Sequence, residues 1–231
     1  MEVNHTNTYE LNSKSDNPIQ CTMDDNGCCI VEDNNTEKAF WDDRWAAGST
    51  GWDLGRVSPE LQKFFDLLPD KNAAILIPGC GNAYEAEYLL NHGFTNVTLI
   101  DISPTLVRNL RSKFENNSSI RILEGDFFQL NETYDVVVEQ TFFCAIHPSM
   151  RVDYVQKMVK ILTEKGILGG LLFNRDFEGG PPFGGSKEEY KKLFHEHGLE
   201  VIEMEMAMNS IPARQGTEVF FQARKKHTES N

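Results

Sequence analysis

The chain has 231 residues, of which 40% are hydrophobic and 10% aromatic, enough for one domain with a self-sufficient core. Its formal net charge of -13, without clusters of Lys and Arg, argues against nucleic acid, whose binding draws on counterion release by basic patches. Small-molecule substrates remain, anionic ones included, because the potential inside a pocket can differ in sign from the net charge.

Residues 1–35 are rich in Asn, Asp, Thr and Ser and hold Cys21, Cys28 and Cys29, so they are expected to form a disordered polar tail. With Cys80 and Cys144 the cysteines number five, without paired Cys-x-x-Cys spacing. Free thiols in a reducing, cytoplasmic compartment fit this count, and no metal site is expected. The first residues lack the pattern of a signal or transit peptide, and no apolar run approaches the ~18 residues that cross a bilayer.

One domain is expected over 36–226, with 227–231 a second disordered end. It opens on a helix near Thr36 that carries Phe40, Trp41 and Trp45. Short aliphatic runs then alternate with helical stretches, the pattern of a mostly parallel sheet covered on both faces. The strands are placed at Ala74–Ile77, Val97–Asp101, Ile120–Glu124, Tyr134–Val138, Ile167–Phe173, Leu199–Met206 and Val219–Ala223. The helices are placed at Ser58–Leu68, Ala83–Asn91, Pro104–Asn116, Met150–Leu162 and Lys187–His197. Gly93, Gly166 and Gly198 read as left-handed stops. The cluster from Glu178 to Gly185 is a long loop beyond a strand's carboxyl end, where open α/β sheets place ligands.

The run Ile75-Leu76-Ile77-Pro78-Gly79-Cys80-Gly81, followed some twenty residues later by Asp101, outlines a nucleoside-cofactor pocket. Pro78 and the missing third glycine weaken a dinucleotide reading, since pyrophosphate asks for closely spaced donors. A sulfonium nucleoside carries no phosphate, which favours S-adenosylmethionine (SAM). Asp101 suits the two ribose hydroxyls, or else caps the helix at Pro104. Asp126 suits an adenine amino group with Phe127 against the ring, or else both belong to a turn and the core. Trp41, Trp45 and Trp52 lie within a dozen residues and either hold the sulfonium by their faces or pack an N-terminal helix. The run Phe142 to Pro148 after the fourth strand is expected to floor the acceptor site. His147 reads as a turn residue rather than a base, and Cys144 as packing rather than a nucleophile. Arg151, Arg175 and Arg214 either form surface salt bridges, the ordinary role of any one of them, or bind an anionic acceptor or the SAM carboxylate.

Taken in order, Phe40-Trp41, Trp45, Trp52 to Arg56, Pro78 to Gly81, Asp101 to Ser103, Gly125 to Phe128, Phe142 to Ile146, Met150-Arg151, Gly179 to Pro182 and Ile211 to Gly216 resemble the thiopurine S-methyltransferase family, in particular its plant halide and thiol methyltransferases. The resemblance runs from about residue 37 to about residue 225. It implies a Rossmann-like class I SAM-dependent methyltransferase fold, a seven-stranded mostly parallel α/β sheet whose last strand is antiparallel. It also implies cofactor contacts at Trp41, Trp45, Trp52, Gly79, Asp101, Asp126 and Phe127, and an acceptor pocket at Gln140 and Phe143. Gln140 stands where the plant relatives have Tyr and the thiopurine enzymes Arg. The expected activity is in-line displacement of the SAM methyl group by a thiol, hydrosulfide, thiocyanate or halide, by a monomer without nucleic-acid or membrane partners. Larger aromatic thiols form the alternative. An NAD-dependent oxidoreductase would ask for a fuller glycine motif, and a SAM-binding protein without catalysis has only Gln140 in its favour.

Overall fold

A computed structural model describes residues 21–23, 29–31 and 34–226. Most of the expected tail, and the end at 227–231, lie outside the described residues. Within 1–35, two apolar triplets form an unforeseen pair, β1 (Cys21–Met23) antiparallel to β2 (Cys29–Val31). Two helices follow, α1 (Asn34–Ala46) and α2 (Pro59–Asp66).

The aliphatic runs become five parallel strands: β3 (Ile75–Pro78), β4 (Val97–Asp101), β5 (Ile120–Glu124), β6 (Tyr134–Gln140) and β7 (Leu162–Phe173). Between them lie α3 (Tyr84–Asn91), α4 (Pro104–Lys113), a 3-10 turn at Phe127–Gln129 and α5 (Arg151–Ile161). The chain closes with α6 (Lys187–Glu196), β8 (Leu199–Met206) and β9 (Glu218–Lys225). The sheet order is β5-β4-β3-β6-β7-β9-β8, and β9 is antiparallel to both of its neighbours. This is the Rossmann-like arrangement expected from the sequence.

Both faces of the sheet are buried because alternate residues serve different layers. Ile75, Ile77, Val136 and Val138 join Leu61, Phe65, Leu89 and Leu106 from α2, α3 and α4. Leu76, Val137 and Leu168 join Tyr154, Met158, Tyr190 and Phe194 from α5 and α6 on the opposite face. That double burial explains why these strands read as continuous apolar runs rather than as alternating ones.

The strand expected at Ile167 begins earlier, at Leu162, because the pairing with β6 jumps from Tyr134↔Leu162 to Val136↔Ile167. Gly166 sits in this irregularity and is not a left-handed stop. A Cβ there would lie 2.9 Å from the Thr163 nitrogen and 3.0 Å from the Tyr134 oxygen, so the position needs glycine for space. Gly93 and Gly198 do take positive φ, as expected.

The start of α6 is set locally. The Ser186 side chain accepts from the Glu189 N–H, while the Glu189 carboxylate accepts from the Ser186 N–H at 2.8 Å, a reciprocal capping box. Ser186→Ala is expected to cost about 1 kcal/mol. In thermal melts this is a fall of roughly 2–4 °C, and an unchanged midpoint would show that the box contributes nothing.

Candidate active site

In the sheet, β3 is flanked by β4 on one side and β6 on the other, so the crossovers diverge and leave a crevice at the carboxyl ends of these strands. A cavity of about 400 Å³ occupies it. The turn leaving β3 places Gly79 and Gly81 at φ of 54° and 50°. A Cβ on Gly79 would come within 2.3 Å of the Phe142 ring, so only glycine leaves the cavity floor open.

Asp101 ends β4 with its half-buried carboxylate on the cavity. It accepts from the Ser103 N–H at 3.0 Å and from the Gly81 and Ile102 N–H groups, which ties the glycine turn to the start of α4. Burial still outweighs these bonds and pushes its pKa up to about 6. The helix cap at Pro104 is supplied by Ser103, which accepts from the Leu106 N–H, and not by Asp101. Asp126 and Phe127, after β5, line the same side; Phe127 is also a core residue, edge-on to Phe142 at 5.1 Å.

Trp41, Trp45 and Trp52 line the cavity, and Trp45 also packs against the core layer beneath α2, α3 and α4. Trp52 stands edge-on to Trp41 at 5.5 Å and to Trp45 at 5.8 Å. Two acids that sequence reasoning missed hold this cluster. Asp42 accepts from the Ser103 hydroxyl at 2.6 Å and from the Thr105 N–H at 2.8 Å, pinning α1 to the N-terminus of α4. Asp53 accepts from the Gly55 N–H at 2.7 Å, the Tyr84 hydroxyl at 3.3 Å and the Asn82 amide, pinning the Trp52 loop to α3. Glu37, bonded to Trp41, also lines the cavity, and its pKa is raised by burial and then by Asp126.

Beyond β6 and β7 the lining turns apolar: Phe142, Ala145, Ile146, Phe173, Phe177, Pro181 and Pro182. The loop 176–185 is tied over this side. The Phe183 N–H donates to the Cys144 carbonyl at 2.7 Å, and Arg151 donates to the carbonyls of Phe183 and Gly184 at 3.3 and 2.8 Å. Arg151 is therefore a loop tie. Arg214 is buried and committed to Glu218 at 3.1 Å and the Trp52 carbonyl at 2.7 Å. Arg175 is exposed and lines the cavity. Burial pushes the Cys144 thiol up to about 12, and His147 caps the 3-10 turn at Pro148–Met150 outside the cavity lining.

The two expected acceptor residues are not brought to the acceptor wall of the cavity. Phe143 is 1% exposed and faces inward, edge-on to Tyr154 at 4.9 Å and Tyr190 at 5.5 Å, because the turn after β6 presents Phe142 instead. Gln140 lines a small side chamber with Trp45, Trp52, Asp53 and Arg214, where its buried amide nitrogen has no partner. The residue governing this turn is Glu139, which the sequence marks only as an acid ending a buried run. Its carboxylate accepts from the Phe142 and Phe143 N–H groups at 3.1 and 3.0 Å. These bonds hold Thr141, a β-branched residue, at φ of 63°, a conformation that costs roughly 1–3 kcal/mol.

The thiopurine S-methyltransferase family model matches residues 36–228. A probable thiol methyltransferase 2 of Arabidopsis thaliana is 33% identical over 194 residues, covering 81% of this chain and 85% of that protein. A thiocyanate methyltransferase 1 of Brassica oleracea is 28% identical over 188 residues, covering 79% and 83%. Among solved structures, the 1,6-didemethyltoxoflavin-N1-methyltransferase of Burkholderia thailandensis, with S-adenosylhomocysteine bound, is similar in fold at a TM-score of 0.67. It is 13% identical and covers 96% of this chain and 100% of that one.

Burial raises the Glu139 pKa from the ordinary carboxylate range to about 7. The folded state therefore holds this proton more tightly than the unfolded state. Its contribution is complete below about pH 4.5 and is lost as pH rises to about 7, up to roughly 3 kcal/mol. The wild type should lose thermal stability over that window, and Glu139→Gln should lose less. Equal slopes for both would contradict the assignment.

Proposed function

The chain belongs to the thiopurine S-methyltransferase family of SAM-dependent S-methyltransferases, and from that premise we propose that its acceptor is a small soft nucleophile: a thiolate, hydrosulfide, thiocyanate or halide. The observation carrying this reading is the acceptor side itself. It is apolar, roofed by a tied loop and without a general base among the described residues, since Cys144 stays protonated and His147 does not line it. A nucleophile that is anionic at neutral pH needs no base, and an apolar wall that strips its water strengthens it.

The residues present fit SAM. Gly79 opens a cradle that a Cβ would fill, Gln140 offers an unpartnered amide donor, and Asp101 and Asp126 line the wall on which a phosphate would meet like charge. We assign the ribose hydroxyls to Asp101, the adenine to Asp126 and Phe127, the sulfonium to the faces of Trp41, Trp45 and Trp52, and the cofactor carboxylate to Gln140. When bound, SAM supplies an electrophilic methyl group on a positively charged sulfur. The chain's own work is to hold an acceptor in line, between Phe142 and the loop 176–185, and to keep water out. Keeping Cys144 as a thiol also keeps this cavity-lining side chain from competing as a nucleophile. A volume of about 400 Å³ lies toward the low end of the ~300–1,000 Å³ of ligand sites, which favours a small acceptor over a fused heterocyclic thiol.

Volatile methyl products from labelled SAM are expected with iodide, thiocyanate and hydrosulfide. Turnover of aromatic thiols alone would move the assignment to the larger acceptors. For the cofactor, Asp101→Ala is expected to weaken SAM binding about 10- to 100-fold in calorimetry, the worth of hydrogen bonds to a charged group. Because ribose binding uses the ionised carboxylate and its pKa is raised to about 6, wild-type affinity should fall as pH drops below that value. A flat profile, or full affinity in the variant, would displace the ribose from Asp101.

A further inference from the structure

We propose that Arg175 is the specificity-determining residue for the acceptor, receiving its negative charge; this rests on the small-acceptor reading above. The cavity is lined by three guanidinium groups, those of Arg44, Arg175 and Arg214. Arg214 is neutralised by Glu218 at 3.1 Å. Arg44 belongs to α1 with the tryptophans, on the donor side, with its guanidinium 4.3 Å over the Phe40 ring. Arg175 stands on the acceptor side, two residues past the end of β7, and has no carboxylate partner among the described residues. Its guanidinium lies 4.7 Å over the Phe177 ring, and its remaining contact is a long one, from Nε to the Asp176 carbonyl at 3.5 Å.

The backbone of Arg175 is fixed although its head group is not. Its carbonyl accepts from the Gly185 N–H at 3.0 Å, so the two ends of the loop 176–184 are bridged at its neck. A Cβ on Gly184 would lie 2.0 Å from that same carbonyl, which makes the close approach a built feature. The side chain thus leaves a rigid neck beside the apolar acceptor wall. An unpaired guanidinium at an apolar wall suits soft, weakly hydrated anions, because both partners lose little on shedding water. In a chain of net charge -13, it also supplies the local positive field that an anionic acceptor needs.

The test is Arg175→Gln, with Arg175→Lys as the conservative control. Thiocyanate binding to the complex with S-adenosylhomocysteine is measured by calorimetry, with neutral methyl thiocyanate as the uncharged control, and KM is measured for thiocyanate. Loss of the charge is expected to weaken thiocyanate binding and raise its KM by about tenfold. Binding of methyl thiocyanate and the SAM dissociation constant should change little, and Lys should restore part of the loss. If the wild type binds thiocyanate without methylating it and the Gln variant does not bind it, the small-acceptor reading fails while Arg175 stands as the anion site. Unchanged thiocyanate binding in the variant, equal losses for thiocyanate and methyl thiocyanate, or no thiocyanate binding by the wild type overturns the assignment of Arg175.

Discussion

The structure depends on the point where β3 lies between β4 and β6. Crossovers leaving a central parallel strand in opposite directions cannot cover its carboxyl end with their own helices. The crevice has to be roofed by chain from elsewhere, and this protein uses two pieces: α1 with the Trp52 loop on the β4 side, and the loop 176–185 on the β7 side. Each roof is held by a few polar contacts to the sheet ends. Asp42 reaches α4, Asp53 reaches α3, Arg214 holds the Trp52 carbonyl, and the Cys144 carbonyl receives Phe183.

These contacts divide the cavity by charge. Carboxylates gather at the ends of β4 and β5, where Asp101, Asp126 and Glu37 lie within one lining, and the field there suits a cation. On the β6 and β7 side the wall is aromatic and aliphatic, with the Arg175 guanidinium at its rim. One small space thus offers an acidic wall and an apolar wall with a guanidinium beside it.

The sheet was legible because it obeys a simple rule. Strands buried on both faces are nearly uniformly apolar, as at Val97–Asp101, while the edge strands Ile120–Glu124 and Leu199–Met206 interleave apolar with charged residues, and all three fall where the sequence places them. The glycines, Asp101 and the tryptophans were legible because each is an unusual residue in a telling place. Asp42 and Asp53 were not, since their partners lie 61 and 29 residues away and an exposed-looking Asp carries no mark of its partner. Phe142 and Phe143 are chemically identical, and only the left-handed turn at Thr141, set by Glu139, decides which one faces the cavity.

The two roofs differ in the kind of contact that secures them. On the side of α1, the outermost tie is the ion pair Lys38–Glu124 at 3.1 Å, whose side chains are 41% and 34% exposed. The loop 176–185 is secured by main-chain bonds, Phe183 to Cys144 and Gly185 to Arg175. Raising ionic strength therefore weakens this ion pair, because exposed charges are screened within about 8 Å at physiological salt, and leaves in place the hydrogen bonds of Asp42 and Asp53 and the main-chain bonds of the loop 176–185. Salt thus reaches the rim of the roof beside the indoles and none of its inner anchors.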